Sequence, residues 1–148
     1  VREILGQERK VVSRRDIRGA KLHIDFAIEN DGGLEDILVG QGGSVCNIVS
    51  VSLRLIALSR LEEERHRPFL VLDEQDCWLK PELVPTFMGL IRRISHQLKL
   101  QTLVISHHPM DLFAFKADAI LALTPDREQG VRLTSLLHKP ETTPQESS

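Results

Sequence analysis

The run Phe69-Leu70-Val71-Leu72-Asp73-Glu74 is an apolar stretch followed directly by two carboxylates. A short continuous apolar run without alternation fits a strand of a parallel sheet, buried on both faces. The acids then fall at its carboxyl end, which in open α/β sheets is where ligands gather. A carboxylate there can hold Mg2+ through water while its neighbour orients an attacking water. Strands also end in acidic turns for structural reasons alone, so the pair by itself leaves both readings open.

Downstream the pattern changes period. From Pro81, the residues Leu83, Val84, Phe87, Met88, Ile91, Ile94 and Leu98 recur at helical spacing, and proline is well tolerated in a first helical turn. Leu103 to Ile105 reads as the next buried strand, ending on Ser106, His107 and His108. The segment between the two strands accommodates one crossover helix, which returns the chain beside its start. Parallel neighbours would then bring Asp73 and Glu74 near His107 or His108, and spacing alone does not say which histidine faces the acids. Pro109 can open a short helix through Phe115, and Ala119 to Leu123 and Val131 to Leu137 read as two strands flanking a turn at Asp126 to Gly130.

Upstream, Gly40-Gln41-Gly42-Gly43-Ser44 precedes an apolar segment from Val45 to Leu61, too long for a strand and read as a helix of about five turns. Glycines at the mouth of a helix let backbone N–H groups approach a phosphate, and the helix dipole favours the anion. Residues 1–30 read as extended structure, most clearly where Leu22, Ile24, Phe26 and Ile28 alternate with other residues. The order of elements predicts a layered α/β domain with a largely parallel sheet over residues 1–137. Residues 138–148 read as a polar, disordered tail.

The composition narrows the function classes. The chain has 148 residues, 19 Lys+Arg against 21 Asp+Glu, a formal net charge of -2 and 41% hydrophobic residues. A domain of this length buries roughly two thirds of its unfolded surface and needs no disulfide or metal staple. Cys46 and Cys77 form no CxxC pair, which fits a reduced, cytoplasmic chain. No apolar run approaches the roughly 20 residues of a membrane span. Residues 1–21 hold seven Lys or Arg against three acids, and residues 22–36 hold five acids and no Lys or Arg; each stretch reads as a solvated face. With five Phe, one Trp and no Tyr, no aromatic stacking array for nucleic acid is visible.

The glycine loop before a helix, the apolar strand ending in Asp-Glu and the later strand ending in histidine together resemble the carboxy-terminal half of an ABC-type ATPase head. The resemblance is closest to the SMC, RecF and RecN class of DNA repair and chromosome maintenance proteins and covers roughly residues 20–137. It implies a P-loop-NTPase-like fold in which Gln41, Gly42, Gly43 and Ser44 stand at the signature motif. Asp73 and Glu74 stand at Walker B, Cys77 to Lys80 at the D-loop, with Leu79 and Lys80 as its marked positions, and His107 at the switch histidine. The implied roles are Mg2+ binding by Asp73, activation of water by Glu74 and contact of His107 with the γ-phosphate of ATP. The signature loop would complete the site of a second head in an ATP-dependent dimer. DNA is the expected partner, with localisation to the nucleoid or nucleus when bound.

Three positions depart from the family pattern: Gln41 where serine is usual, Ser44 where Gln or Glu follows, and Lys80 where the D-loop commonly has an acid. No GxxxxGK[ST] occurs in the chain, so the β and γ phosphates lack the backbone nest and lysine of a Walker A loop. The chain alone is therefore not expected to hydrolyse ATP; a Walker A lobe of the same or a partner chain would complete it. The start at Val1 fits a fragment of a longer protein. Two alternatives share the motifs: the nucleotide-binding lobe of an ABC transporter, against which Gln75-Asp76 argues because transporters commonly carry Pro-Thr there, and a non-hydrolysing interaction domain.

Overall fold

The computed structural model describes residues 2–6, 8–30, 32–37, 42–62, 64–128 and 130–138. In chain order the elements are a short helix α1 (Arg2–Leu5), strands β1 (Lys10–Arg18), β2 (Lys21–Asn30) and β3 (Gly33–Asp36), then helix α2 (Gly43–Leu58) and strand β4 (Phe69–Asp73). A 3-10 turn (Pro81–Leu83) leads into helix α3 (Val84–Gln97) and strand β5 (Gln101–Ile105). Two further 3-10 turns (Met110–Leu112 and Ala114–Lys116) precede the hairpin of β6 (Ala119–Asp126) and β7 (Gly130–His138). Gln41 and residues 139–148 of the tail expected at 138–148 lie outside the described residues, while His138 ends β7.

Strand direction follows from the length of each connection. Between β1 and β2 stand only Gly19 and Ala20, both in left-handed conformation (φ 56° and 62°), the requirement of a two-residue turn whose twist matches a hairpin. Arg18 therefore pairs with Lys21, and β1, β2 and β3 form an antiparallel sheet. A short turn likewise makes β6 and β7 antiparallel. Only β4 and β5, separated by the crossover through α3, are parallel among the described residues, running from Phe69 beside Gln101 to Asp73 beside Ile105. Among the described residues the sheets are thus one parallel pair and two antiparallel ones in place of the expected largely parallel sheet, because the short turns after β1, β2 and β6 allow only an antiparallel return, whereas α3 supplies the crossover that parallel pairing needs.

α2 is the shared wall of two apolar clusters. Val45 and Val49 pack with Ile28 and Ile37 on the side of β2, whereas Ile48, Val51 and Leu55 pack with Leu70, Leu72 and α3. α3 presents Val84, Phe87, Met88 and Ile91 to the second cluster, a stripe at 3.6-residue spacing. Ile4 of α1 closes it, helped by an Arg93–Glu3 ion pair at 2.5 Å. The short α1 departs from the expectation of extended structure through residues 1–30. The expected single helix from Pro109 to Phe115 is instead two 3-10 turns.

The strands β4 and β5 are covered on one face only. Leu70 and Leu72 are 6% and 0% exposed, while Phe69 and Val71 are 44% and 41% exposed, with Leu103 and Ile105 of β5 open beside them. The expected burial on both faces is therefore corrected: among the described residues the helices supply a single cover.

Candidate functional site

The last rung of the parallel ladder sets the site. Asp73 lies beside Ile105, and the Glu74 N–H donates to the Ile105 carbonyl at 3.0 Å, so the loops leaving β4 and β5 start side by side. Glu74 is left-handed (φ 49°), a conformation that costs a non-glycine residue about 1–3 kcal/mol and that clusters at functional sites. Its carbonyl accepts from the Cys77 N–H (3.1 Å), closing a turn that sends the side chain toward β5. There Glu74 Oε1 meets His107 Nε2 at 2.8 Å, both side chains being exposed.

His107 is therefore the histidine that faces the acid. His108 turns the other way, with Nε2 at 3.2 Å from the Asp76 carbonyl oxygen, which accepts from it. Asp76 is 1% exposed, and its Oδ2 accepts from the Ser106 hydroxyl at 2.5 Å. Ser106 Oγ in turn accepts from the His108 N–H at 3.1 Å. Glu74, Asp76, Cys77, His107 and His108 line an open cavity of about 180 Å³.

Asp73 stands apart from that cavity. It is exposed at the end of β4 and, by strand alternation, shares the open face with Phe69 and Val71. Gln75 Nε2 donates to its backbone carbonyl at 2.9 Å, and Asn47 Nδ2 of α2 donates to the Gln75 carbonyl at 3.2 Å. Two bonds thus link α2 to the strand end.

Gly42, Gly43 and Ser44 open α2, with Gly42 in extended conformation at its N-cap and no side chain capping the helix. Trp78, in the loop after β4, is 68% exposed and lies across Gly43. A Cβ on Gly43 would stand 2.7 Å from the indole, so this close approach demands glycine. Leu79 points into the core and Lys80 is exposed at the start of the 3-10 turn. The structure thus brings Glu74 and His107 together, keeps Asp73 on the adjoining face, and sets Gly42 to Ser44 against the loop after β4 but outside the cavity.

Asp76, Ser106 and Asn47 are residues the sequence reading did not single out as site residues. A charged side chain in the short loop between Glu74 and Leu79 was the available signal for Asp76; its pairing with Ser106 depends on loop geometry that no spacing encodes. Among the described residues no group of three or more His, Cys, Asp or Glu side chains converges as a metal site. Among the same residues no helix is long and apolar enough to cross a membrane.

No protein-family model and no curated protein matches the chain. Solved structures do. An SmcHead bound to the C-winged helix domain of ScpA matches over 92% of this chain and 39% of that one, with a TM-score of 0.66 and 17% identity. The Smc head with an extended coiled coil bound to the C-terminal domain of ScpA, from Pyrococcus furiosus, matches over 86% of this chain and 31% of its own, with a TM-score of 0.61 and 19% identity. A structure from work on ATP-driven dimerization and DNA-stimulated activation of SMC ATPases matches over 85% and 73%, with a TM-score of 0.58 and 20% identity. The chain spans well under half of the first two. It has the fold of the carboxy-terminal lobe of an SMC ATPase head.

Proposed function

We propose that the chain is the carboxy-terminal half of an ATP-hydrolysing head of an SMC-like DNA repair or chromosome maintenance protein. The observation that carries this reading is the Glu74–His107 contact at the carboxyl ends of adjacent parallel strands, within an SMC-head fold. Glu74 is the general base that orients water, and His107 is placed to meet the γ-phosphate once nucleotide separates the pair. Asp73 fits a magnesium site: it offers one hard oxygen donor on an exposed strand end, and Mg2+ is commonly held by one or two carboxylates with waters and substrate phosphates as the other ligands. Bound Mg2+ would neutralise charge on the phosphates; holding it is the part of that chemistry that falls to Asp73.

The open face of β4 and β5 supports the partner assignment. Phe69, Val71, Leu103 and Ile105 form an apolar strip with Asp73 at its end, and a Walker A lobe seated there would bury the strip and bring its phosphates to Asp73. The loop of Gln41 to Ser44 then serves a second head across an ATP-dependent dimer, in which Leu79 and Lys80 belong to the D-loop. DNA is the proposed substrate surface of the assembled protein. The similar structures named above are SMC heads, which favours this reading over a transporter lobe.

The test is ATP turnover by this chain completed with a Walker A lobe, with and without DNA. Glu74→Gln is expected to lower kcat about 10²- to 10⁴-fold while leaving ATP binding intact, as for loss of a general base. Confirmed ATP binding with equal turnover in wild type and variant would overturn the assignment of Glu74.

A further inference from the structure

Glu74 and His107 are both exposed, and an exposed pair contributes too little to hold its own geometry. Something else must fix two flexible side chains at 2.8 Å. Beyond the Glu74 N–H to Ile105 bond, the ladder between β4 and β5 ends, and among the described residues the side-chain ties across the two loops other than the Glu74–His107 pair itself run to Asp76, from Ser106 and from His108. The Ser106 hydroxyl donates to Asp76 Oδ2, the Asp76 carbonyl accepts from His108, and the His108 N–H folds back on Ser106 Oγ. Both chain neighbours of His107 are therefore anchored to one residue, and that residue lies two positions after Glu74.

We infer that Asp76 is a positioning residue: its buried carboxylate, engaged by Ser106, locks the loop after β4 to the loop after β5 and so keeps Glu74 and His107 in register. The inference rests on the head assignment proposed above. The burial supports it, because a carboxylate removed from water is costly unless hydrogen-bonded, and Ser106 supplies a bond at the short distance usual for a hydroxyl on a charged acceptor. A hydroxyl that donates to one loop and accepts from the other has a single orientation, which makes the tie directional. The left-handed backbone of Glu74 persists for the same reason: the turn closed by Cys77 is pinned at Asp76, so the strained residue has nowhere to relax.

Two readouts test this. In the nucleotide-free chain, imidazole nitrogen spectra report the His107 contact, and Glu74→Gln defines the signal of its loss. Asp76→Ala and Ser106→Ala should each shift His107 in the same direction as Glu74→Gln, while Asp76→Asn, which keeps an oxygen for Ser106, should remain close to wild type. In the head completed with its Walker A lobe, Asp76→Ala should lower kcat about 10-fold or more with KM changed less than about two-fold, a split expected of misplaced catalytic groups. Asp76→Asn should restore most of the rate. A folded Asp76→Ala chain with wild-type His107 signals would overturn the inference; should that variant unfold, the same result for Ser106→Ala would do so. Absence of turnover in the wild-type completed head defeats the ATPase reading, while the His107 spectra still decide the role of Asp76.

Discussion

The two faces of β4 carry equally apolar side chains and meet opposite fates. Leu70 and Leu72 vanish beneath α2 and α3, whereas Phe69 and Val71 stay open to solvent a residue away. Hydrophobicity alone did not determine which side this chain covers; the crossover through α3 did, because one helical connection returning to a parallel neighbour packs on one face of the sheet. The closed face is finished by local sequence, and the open face has the character of a core still lacking its second layer. The candidate chemistry sits on the boundary, with Asp73 ending the open face and Glu74 turning toward His107.

The difference between the faces is most sharply broken at Leu72. Leu72→Ala leaves a cavity in the interior and should destabilise the chain by about 2–5 kcal/mol in urea titrations. Val71→Ala, one position away, should stay within about 0.5 kcal/mol, as for a surface substitution. With a Walker A lobe bound, the Val71 cost should rise to about 1.5 kcal/mol, the burial of two methyl-sized groups at about 0.8 kcal/mol each. An unchanged Val71 effect on adding the lobe would mean that something else covers the face.

Much of this arrangement was legible because it is written in local period. The run Phe69 to Glu74, the α3 stripe and the strand before His107 each declare themselves within a few residues, and the hairpin alternation from Leu22 to Ile28 is equally plain. Sheet direction is set by connection length, which element order does not carry: Gly19-Ala20 allows only a hairpin. Burial of Phe69 and Val71 was misread because an apolar run signals what a strand can bury, not what this chain brings to it. That the Asp73-Glu74 end would lie beside His107 or His108 follows from parallel neighbours, while the choice of His107 rests on the family resemblance; the Asp76–Ser106 tie follows from neither, since it depends on side-chain directions in two loops thirty positions apart.

A smaller effect sharpens the comparison from the closed side. Just past the C-cap of α3, Lys99 is in left-handed conformation (φ 52°), with the Leu100 N–H donating to the Ser95 carbonyl at 2.8 Å, a place where glycine is usual. Lys99→Gly removes the Cβ penalty at that position and offsets it partly by added freedom in the unfolded chain. The net gain should be about 0.5 kcal/mol in urea titrations, identical with and without a Walker A lobe, because the helix end belongs to the finished face.

The smallest expected effect is electrostatic and lies on the outer side of α3. Burial raises the Asp118 carboxyl, but hydrogen bonds from His96 (3.2 Å) and Arg92 (2.8 Å), with their charges, outweigh it and hold the group below its ordinary 3.8. A carboxylate lowered on folding contributes stability that is fully present above its unfolded value and is lost as pH falls through the folded one. All three side chains are partly solvated, so screening limits the contribution to less than about 1 kcal/mol. The urea midpoint should therefore fall slightly more between pH 5 and pH 2.5 in wild type than in Asp118→Asn, and added salt should shrink that gap. Equal acid sensitivity in the two would mean that the Arg92–Asp118–His96 cluster leaves the closed face no more stable than solvent alone.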